Sequence, residues 1–416
     1  MSSGKPRLLL AADYGAPTGF ARLTHNLLPY FIEAFDVSIL GINYFGDVMT
    51  PPPCALFRAA LGGDPYGVGR YRDLVALLEP DAVFLMHDPW IVRAYLAQHA
   101  ELPQWPQGER PAFVAYTAID GLHVADAPAL NGADLLIAYT QFGATELRYG
   151  GYHGPLMVVP HGVDLELYQP MGQRAARAHL GVEHLSDAVV IGCLNRNQPR
   201  KRLDVLLMGF AQWVHEQHLE DQAYLWLHCA NQDVGWNLRQ LARYLHISPQ
   251  LILPPDELTP VRGAQESELP WLYSAWDLQV STTLGEGWGL STMEAMACGC
   301  PNLVPRWSAL AEWAAGAVEY LPCSGPLAGI EHGNIGGLVL PETVAQALTT
   351  LVPDAGRLAA LRQAGLERVQ QPAFRWAHIA QRFIMGMQRA MEGRAQEMDD
   401  VPRLESQPVA REGVRA

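Results

Sequence analysis

The chain has 416 residues, 49% apolar and 17% charged, with a formal net charge of −14. That length exceeds one ordinary core and implies two domains, and the composition excludes a disordered chain. The acidic balance argues against broad nucleic-acid or membrane-surface binding. No apolar run is long enough to span a bilayer, and the apolar stretch near the start meets Asp13 too soon for a signal-peptide core, so a cytoplasmic protein is expected. The six cysteines (Cys54, Cys193, Cys229, Cys298, Cys300 and Cys323) are scattered among apolar runs, which suits reduced thiols better than a disulfide framework. Cys298-Gly-Cys300 has no partner ligands that suggest a metal, and small-residue packing at a helix end is the better reading.

Arg7–Ala12 is short, apolar and ended by Asp13, a buried strand. The loop from Tyr14 to Gly19 leads into a helical pattern with Phe20, Leu23, Leu27 and Phe31 on one face, which Pro29 should kink or shorten. Gly15-Ala-Pro-Thr-Gly19 lacks the dinucleotide spacing, so no NAD site is expected. Further strands are predicted at Val37–Ile42, Ala82–Met86, Ala112–Tyr116, Leu135–Tyr139 and Met157–Pro160, with helices including Tyr71–Leu78 and Ile91–Gln98 between them. Val159-Pro-His-Gly-Val-Asp164 ends this series, and polar Leu165–Ser186 reads as the connection between domains.

A second alternation starts at Ala188–Cys193 and continues with a helix at Leu203–Val214, a strand at Ala223–His228 and a helix at Val234–Leu245. A strand at Leu251–Leu253, a Pro-rich segment to Pro260 and a helix near Glu268–Ala275 follow. Asp277–Ser281 and the segment from Pro301 read as strands, Val318–Leu321 and Gly337–Leu340 as short strands or strand ends, and Glu342–Leu351 and Arg357–Val369 as helices. Pro372–Glu392 is a last amphipathic helix with Trp376, Ile379, Phe383 and Met387 at helical spacing. The expected fold is α/β: two Rossmann-like, doubly wound parallel-sheet domains facing a central cleft. Their expected bounds are 1–168 and 187–370, with a helix at 371–392 returning to the first domain and a disordered tail at 393–416.

The stretch Thr282–Pro305 carries Glu286 and Glu294 around a glycine-bracketed loop that runs into a helix. A strand, a Gly-rich turn and a helix N-terminus gather free backbone N–H groups, which suit phosphate, while carboxylates suit hydroxyls. Together they fit a nucleotide-sugar. Arg196 and Lys201 lie on another strand-to-helix loop, where cations are placed to clamp a diphosphate; a solvated basic loop is the equal alternative from charge alone.

These pieces are similar to the family 4 retaining glycosyltransferases, which have the GT-B fold. The matching segments are Pro160-His-Gly-Val-Asp164, Arg196 followed five residues later by Lys201, the helix-to-strand segment Trp271–Val280, and Glu286-x7-Glu294 with Glu-Ala-Met-Ala-Cys-Gly. Phe374-Arg-Trp376 resembles the start of the helix that crosses back in this family. The resemblance implies a nucleotide-diphosphate sugar donor, UDP- or GDP-linked, no cofactor and no metal. It assigns Glu294 to the ribose, Glu286 to the donor sugar, and Gly287, Trp288, Gly289, Leu290, Ser291 and Thr292 to sugar and phosphate, through backbone amides. The Trp288 side chain reads as packing, as do Trp271, Trp276 and Trp313. Arg196 and Lys201 are implied to hold the diphosphate and stabilise it as it departs.

The first domain departs from the family pattern. Many relatives have a histidine soon after the strand matching Phe113–Tyr116, where this chain reads Tyr116-Thr117-Ala-Ile-Asp120. Asp120 is the candidate polar group near the anomeric centre, with a turn or helix cap as the alternative. Gly15 and Gly19 allow close backbone approach to the donor. Tyr14, His87 and Thr117 are candidates on the acceptor side, although His87 also reads as a capped strand end and His161 as packing. The acceptor is open: a glycan, a small molecule, or a hydroxylated base in nucleic acid held by Arg58, Arg70, Arg72 and Arg93. A GT-B epimerase or phosphorylase and a non-catalytic nucleotide-sugar-binding protein are the rival readings.

Overall fold

A computed structural model of the chain describes residues 4–46, 50–103, 110–254, 263, 265–329 and 334–401. Most of the Pro-rich segment before Pro260 and the last part of the expected tail, 402–416, lie outside these residues. Contacts divide the chain into two compact units. One holds the residues up to Gly162 together with those from Ala373 to the end of the described chain; the other is Val163–Pro372.

The first unit alternates strands and helices: β1 (Arg7–Asp13), α1 (Gly19–Ala34), β2 (Asp36–Ile42), β3 (Ala55–Arg58), α2 (Tyr71–Leu78), β4 (Ala82–Met86), α3 (Pro89–Ala100), β5 (Ala112–Thr117), β6 (Leu135–Ala138), α4 (Gln141–Tyr149) and β7 (Leu156–Val158). All seven strands are parallel, in the order β3-β2-β1-β4-β5-β6-β7. Central strands such as β4 (AVFLM) are buried along their whole length, because helices cover both faces and leave no wet side for a polar residue. Thr18 starts α1, its Oγ1 accepting from the Ala21 amide at 3.1 Å. Pro29 does not shorten this helix, which runs five residues past it. Pro29 and His25, whose carbonyl loses its partner, are both exposed, so water can replace the missing bond.

The second unit comprises α5 (Gln173–His179), β8 (Val189–Leu194), α6 (Leu203–Gln217), β9 (Ala223–His228), α7 (Leu238–Tyr244), β10 (Leu251–Ile252), α8 (Leu269–Ala275), β11 (Leu278–Val280), α9 (Leu290–Ala297), β12 (Asn302–Pro305), α10 (Ser308–Trp313), β13 (Glu319–Leu321), β14 (Gly325–Ala328), β15 (Ile335–Leu338), α11 (Pro341–Leu351) and α12 (Ala355–Val369). Its main sheet is parallel, ordered β10-β9-β8-β11-β12-β13, and β14 and β15 form an antiparallel hairpin. Residues 165–186, expected to connect domains, are built into this unit. Buried Arg177 donates to the carbonyls of Ala275 and Leu185 and pairs with Asp277 at 2.8 Å. The helix expected from Val234 starts only at Leu238, because the Gly235 and Trp236 amides are tied to Asn197 and Asn237 supplies the cap.

The last helix, α13 (Trp376–Met391), belongs to the first unit. Phe383 lies against Phe31, Phe84 and Tyr116, with ring centroids 6.3, 5.4 and 4.7 Å away. The tail expected to be loose from Gly393 is ordered to Val401. Its Asp399 pairs at 2.6 Å with buried Arg148, Asp400 accepts from the Val158 amide, and Val401 is buried. A buried guanidinium needs a carboxylate, and this segment supplies one. Among the described residues no helix is long and apolar enough to cross a membrane.

Strand order reverses between β1 and β4 in the first sheet and between β8 and β11 in the second. At such a point the two loops leaving the carboxyl ends of neighbouring strands part to opposite faces and open a crevice for ligand. Lys201 and Glu286 lie on the loops leaving the second reversal, and Tyr14, Gly15 and His87 on those leaving the first, while Thr117 and Asp120 follow β5, one strand away.

Candidate active site

In the second unit β8 and β11 pair through Ile191 and Leu278, and the loops that follow them are laced together. The Leu284 amide donates to the Arg200 carbonyl at 2.9 Å, and Thr282 Oγ1 to the Arg202 carbonyl at 2.8 Å. A short turn, Pro199–Lys201, ends at Arg202 in the left-handed region (φ 50°), which reverses the chain immediately after Lys201. Lys201 Nζ then donates to both oxygens of Glu286, at 2.6 and 2.8 Å, and both residues are buried. Arg200 donates to the Gly285 carbonyl and lies 3.5 Å from Glu286. Burial alone raises the pKa of Glu286, but the charges of Lys201 and Arg200 outweigh it and hold the group below its ordinary value. Glu286 is therefore a carboxylate. Ser308 clamps its backbone, accepting from the Glu286 amide at 2.9 Å and donating to its carbonyl at 3.1 Å. Ser308 itself sits at φ 50°, a conformation unfavourable for serine that these bonds sustain.

Three residues on, Gly289 precedes α9 at φ 93°, where a Cβ would come within 2.7 Å of Leu310; only glycine fits. Its carbonyl accepts from the amides of Thr292 and Met293, so Leu290 and Ser291 sit in the first turn, ahead of the amides that bond within the helix. Glu294, one turn further, is buried and accepts from the Tyr273 hydroxyl at 2.6 Å. Trp288 is a packing residue: its ring stacks on Trp313 at 4.8 Å, and its carbonyl accepts from the Trp313 indole. Of the other expected core tryptophans, Trp276 is buried, whereas Trp271 is partly exposed and stacks on His179.

Arg196 does not join this group. It forks onto Asp233, at 2.6 and 3.2 Å, with about half its side chain exposed. The cause is Asn197, whose side-chain amide donates to the Trp236 carbonyl at 2.7 Å and ties the loop to the segment after β9. The cation beside Lys201 is instead Arg200, its neighbour in sequence, which the five-residue spacing had passed over.

In the first unit, Asp13 at the end of β1 is buried and accepts from Thr18 Oγ1 (2.5 Å) and Asn43 Nδ2 (3.1 Å); burial raises its pKa. His87 follows the neighbouring strand, β4. Burial lowers its pKa to about 4, against the pull of Asp13, so the ring is neutral; its Nδ1 faces the Asp88 amide at 2.8 Å and its face stacks on Phe20. Tyr14 donates to the Thr50 carbonyl, Gly15 lies under the Tyr44 ring and Gly19 opens α1. Thr117 ends β5, and Asp120 is half-buried on the loop beyond it. His161 is buried at 2.5 Å from the Tyr116 hydroxyl, a packing position. Asp13 was readable in the sequence only as the end of a strand, since its role depends on β1 lying beside β4.

Residues 188–352 match the family model described as Glycosyl transferases group 1. That segment belongs to this family. D-inositol 3-phosphate glycosyltransferase 2 of Catenulispora acidiphila is 32% identical over 190 residues, 45% of this chain and 44% of that protein. The D-inositol 3-phosphate glycosyltransferase of Kineococcus radiotolerans is 30% identical over 295 residues, 68% and 63% of the two chains. The chain therefore spans less than two thirds of these curated relatives; that of Kribbella flavida, 28% identical, is matched over 89% of its length and 93% of this chain. Among solved structures, sucrose-phosphate synthase from Thermosynechococcus elongatus superposes with a TM-score of 0.72 at 17% identity, covering 93% of this chain and all of that one. Anabaena Alr3699/HepE in complex with UDP and glucose gives 0.66 at 18%, covering 92% and 99%. The two parallel-sheet domains of this chain thus have the GT-B fold. The Lys201–Glu286 pair, Gly289 and Glu294 all fall inside the matched 188–352 segment.

Proposed function

We propose that the chain is a retaining glycosyltransferase that moves a sugar from a nucleotide-diphosphate sugar to an acceptor hydroxyl. The supporting observation is the buried Lys201–Glu286 pair at the strand reversal of the second unit, beside Arg200 and the first turn of α9. Glu286 accepts from hydroxyls of the donor sugar, and Glu294 from those of the ribose. Lys201, Arg200 and the amides of Gly287 to Thr292 hold the diphosphate. As the bond from the anomeric carbon to the phosphate oxygen breaks, negative charge grows on the diphosphate and positive charge on the sugar. Fixed cations and amides lower that barrier because they are already oriented. The acceptor oxygen attacks from the face the diphosphate leaves, and its proton passes to the departing phosphate oxygen. That route asks for no strong protein base, and Asp120 then serves as a polar group near the anomeric carbon.

Solved neighbours carry UDP and UDP-glucose, so UDP-sugars are the first donors to test. A thermal-shift screen of UDP- and GDP-sugars identifies the donor by the stabilisation it confers. With that donor, Glu286→Gln is expected to abolish transfer while the chain stays folded, with a melting transition lowered because buried Lys201 loses its charged partner. Full transfer by this variant sinks the assignment. Since cations of the protein meet the diphosphate, transfer is expected to persist in excess EDTA; loss of activity that magnesium restores would contradict this.

A further inference from the structure

The loop that carries Glu286 has little to hold its own shape, because Gly285 and Gly287 flank the residue and leave the backbone wide freedom on both sides. A separate element fixes it: α10, which follows β12, the strand beside β11. Ser308, the first residue of α10, uses one hydroxyl oxygen twice, accepting from the Glu286 amide at 2.9 Å and donating to the Glu286 carbonyl at 3.1 Å. The Ala309 amide reaches the same carbonyl at 3.4 Å. Leu310 packs into the space that Gly289 leaves by having no Cβ, and the Trp313 indole bonds to the Trp288 carbonyl at 2.7 Å. The helix is anchored in turn to β13 and α12. The Tyr320 hydroxyl donates to the Leu310 carbonyl at 2.9 Å, and Arg368 donates to the carbonyls of Trp313 and Ala315. Ser308 itself is buried and strained: its φ of 50° suits glycine and not a residue with a Cβ. Strain of this kind gathers where function needs a geometry, and here the hydroxyl is what glycine could not supply.

We propose that α10 is a splint for the loop of Glu286 and that Ser308 is a positioning residue, acting through Glu286 and touching no substrate. Lys201 holds the carboxylate and Ser308 the backbone behind it, so the side chain lies between two fixed points and meets the donor-sugar hydroxyls already oriented. The proposal rests on the glycosyl-transfer reading for what Glu286 does, whereas the clamp is a property of the second unit alone.

The test compares Ser308→Ala, which loses both hydrogen bonds and keeps the strain, with Ser308→Gly, which loses the bonds and the strain together. Each full-length variant is measured for melting temperature, for affinity toward the nucleoside diphosphate of the donor found by thermal shift, and for amide exchange without ligand. The rate of nucleotide release from saturating donor, with water or glucose as acceptor, is read alongside. Ser308→Gly is expected to melt above Ser308→Ala. Both are expected to bind the nucleoside diphosphate within about twofold of the parent chain, since Glu286 meets the sugar and not the nucleotide, and to release it from donor about tenfold to a hundredfold more slowly, the scale of a misplacement of about 1 Å. Amide exchange should quicken in 286–289 and not in β8 or β11. A serine that only stabilised the fold would make turnover follow melting temperature, so a Ser308→Gly chain that melts higher and turns over at the parent rate overturns the proposal. Exchange in 286–289 as slow as in the parent chain overturns it as well. Failure of every nucleotide sugar to bind strikes the glycosyl-transfer reading instead, and the exchange measurement still decides whether Ser308 holds the loop.

Discussion

Removing the Lys201 ammonium leaves Glu286 buried, with Arg200 at 3.5 Å as its nearest cation. A buried carboxylate stripped of its partner typically costs about 3 to 5 kcal/mol. Lys201→Ala is therefore expected to lower stability by roughly 3 kcal/mol and to weaken nucleotide binding, checked by urea unfolding and by calorimetry with UDP. Unchanged unfolding would mean that the pair is solvated and adds nothing. At this scale the sequence was informative where chemistry is written into spacing. Glu286 and Glu294 stood out because a glycine-bracketed loop before a helix has few other uses, and Lys201 because cations gather on another strand-to-helix loop. Arg200 was hidden by the more conspicuous Arg196, whose diversion to Asp233 depends on Asn197 bonding across to the next loop.

Among the elements, α13 is held by one aromatic contact set. Phe383 is fully buried against Phe31, Phe84 and Tyr116, which belong to α1, β4 and β5. Phe383→Ala is expected to cost about 3 to 5 kcal/mol by the transfer and cavity terms together. The loss should fall on the first unit, read as faster amide exchange in β4 and β5 than in β8 and β11. Parallel strands such as β4 and β9 were legible to the residue because both faces are covered and the run is continuously apolar. β3 and β14 were not, since their partly exposed residues carry no such run, and β15 was placed two residues late, at Gly337–Leu340. The start of α7 was misplaced because a tertiary bond, from Asn197, overrode a pattern that helical spacing alone would extend.

For the molecule as a whole, the two units differ in how they should meet acid. In the first, burial lowers the pKa of His87 and His99 to about 4 and that of His161 to about 3, from an ordinary 6.5. In the second, His228 is likewise lowered to about 4. Between pH 6.5 and 4 the unfolded chain binds protons that these folded rings refuse, so stability rises with pH across that window and falls as pH drops through it. Each group adds a slope of up to about 1.4 kcal/mol per pH unit. Urea unfolding at pH 7.5, 6.0 and 5.0 should show the decline, with amide exchange accelerating first in the first unit. Equal stability at the three values would mean that the rings are already charged in the native state. The two-unit division itself was foreshadowed by the repeated strand and helix alternation, but not the inclusion of residues 393–401, which look solvated until Asp399 meets Arg148.

That last contact has a consequence for biosynthesis. The unit that begins at the amino terminus is finished by Phe383 and Asp399, so its core stays open while the ribosome makes the intervening Val163–Pro372 segment. The first unit has all its strands early but lacks α13 and the segment to Val401, so the unit translated second is the first to have all its elements. Released chains truncated at Pro372 should therefore protect the second unit from protease and leave the first cleavable.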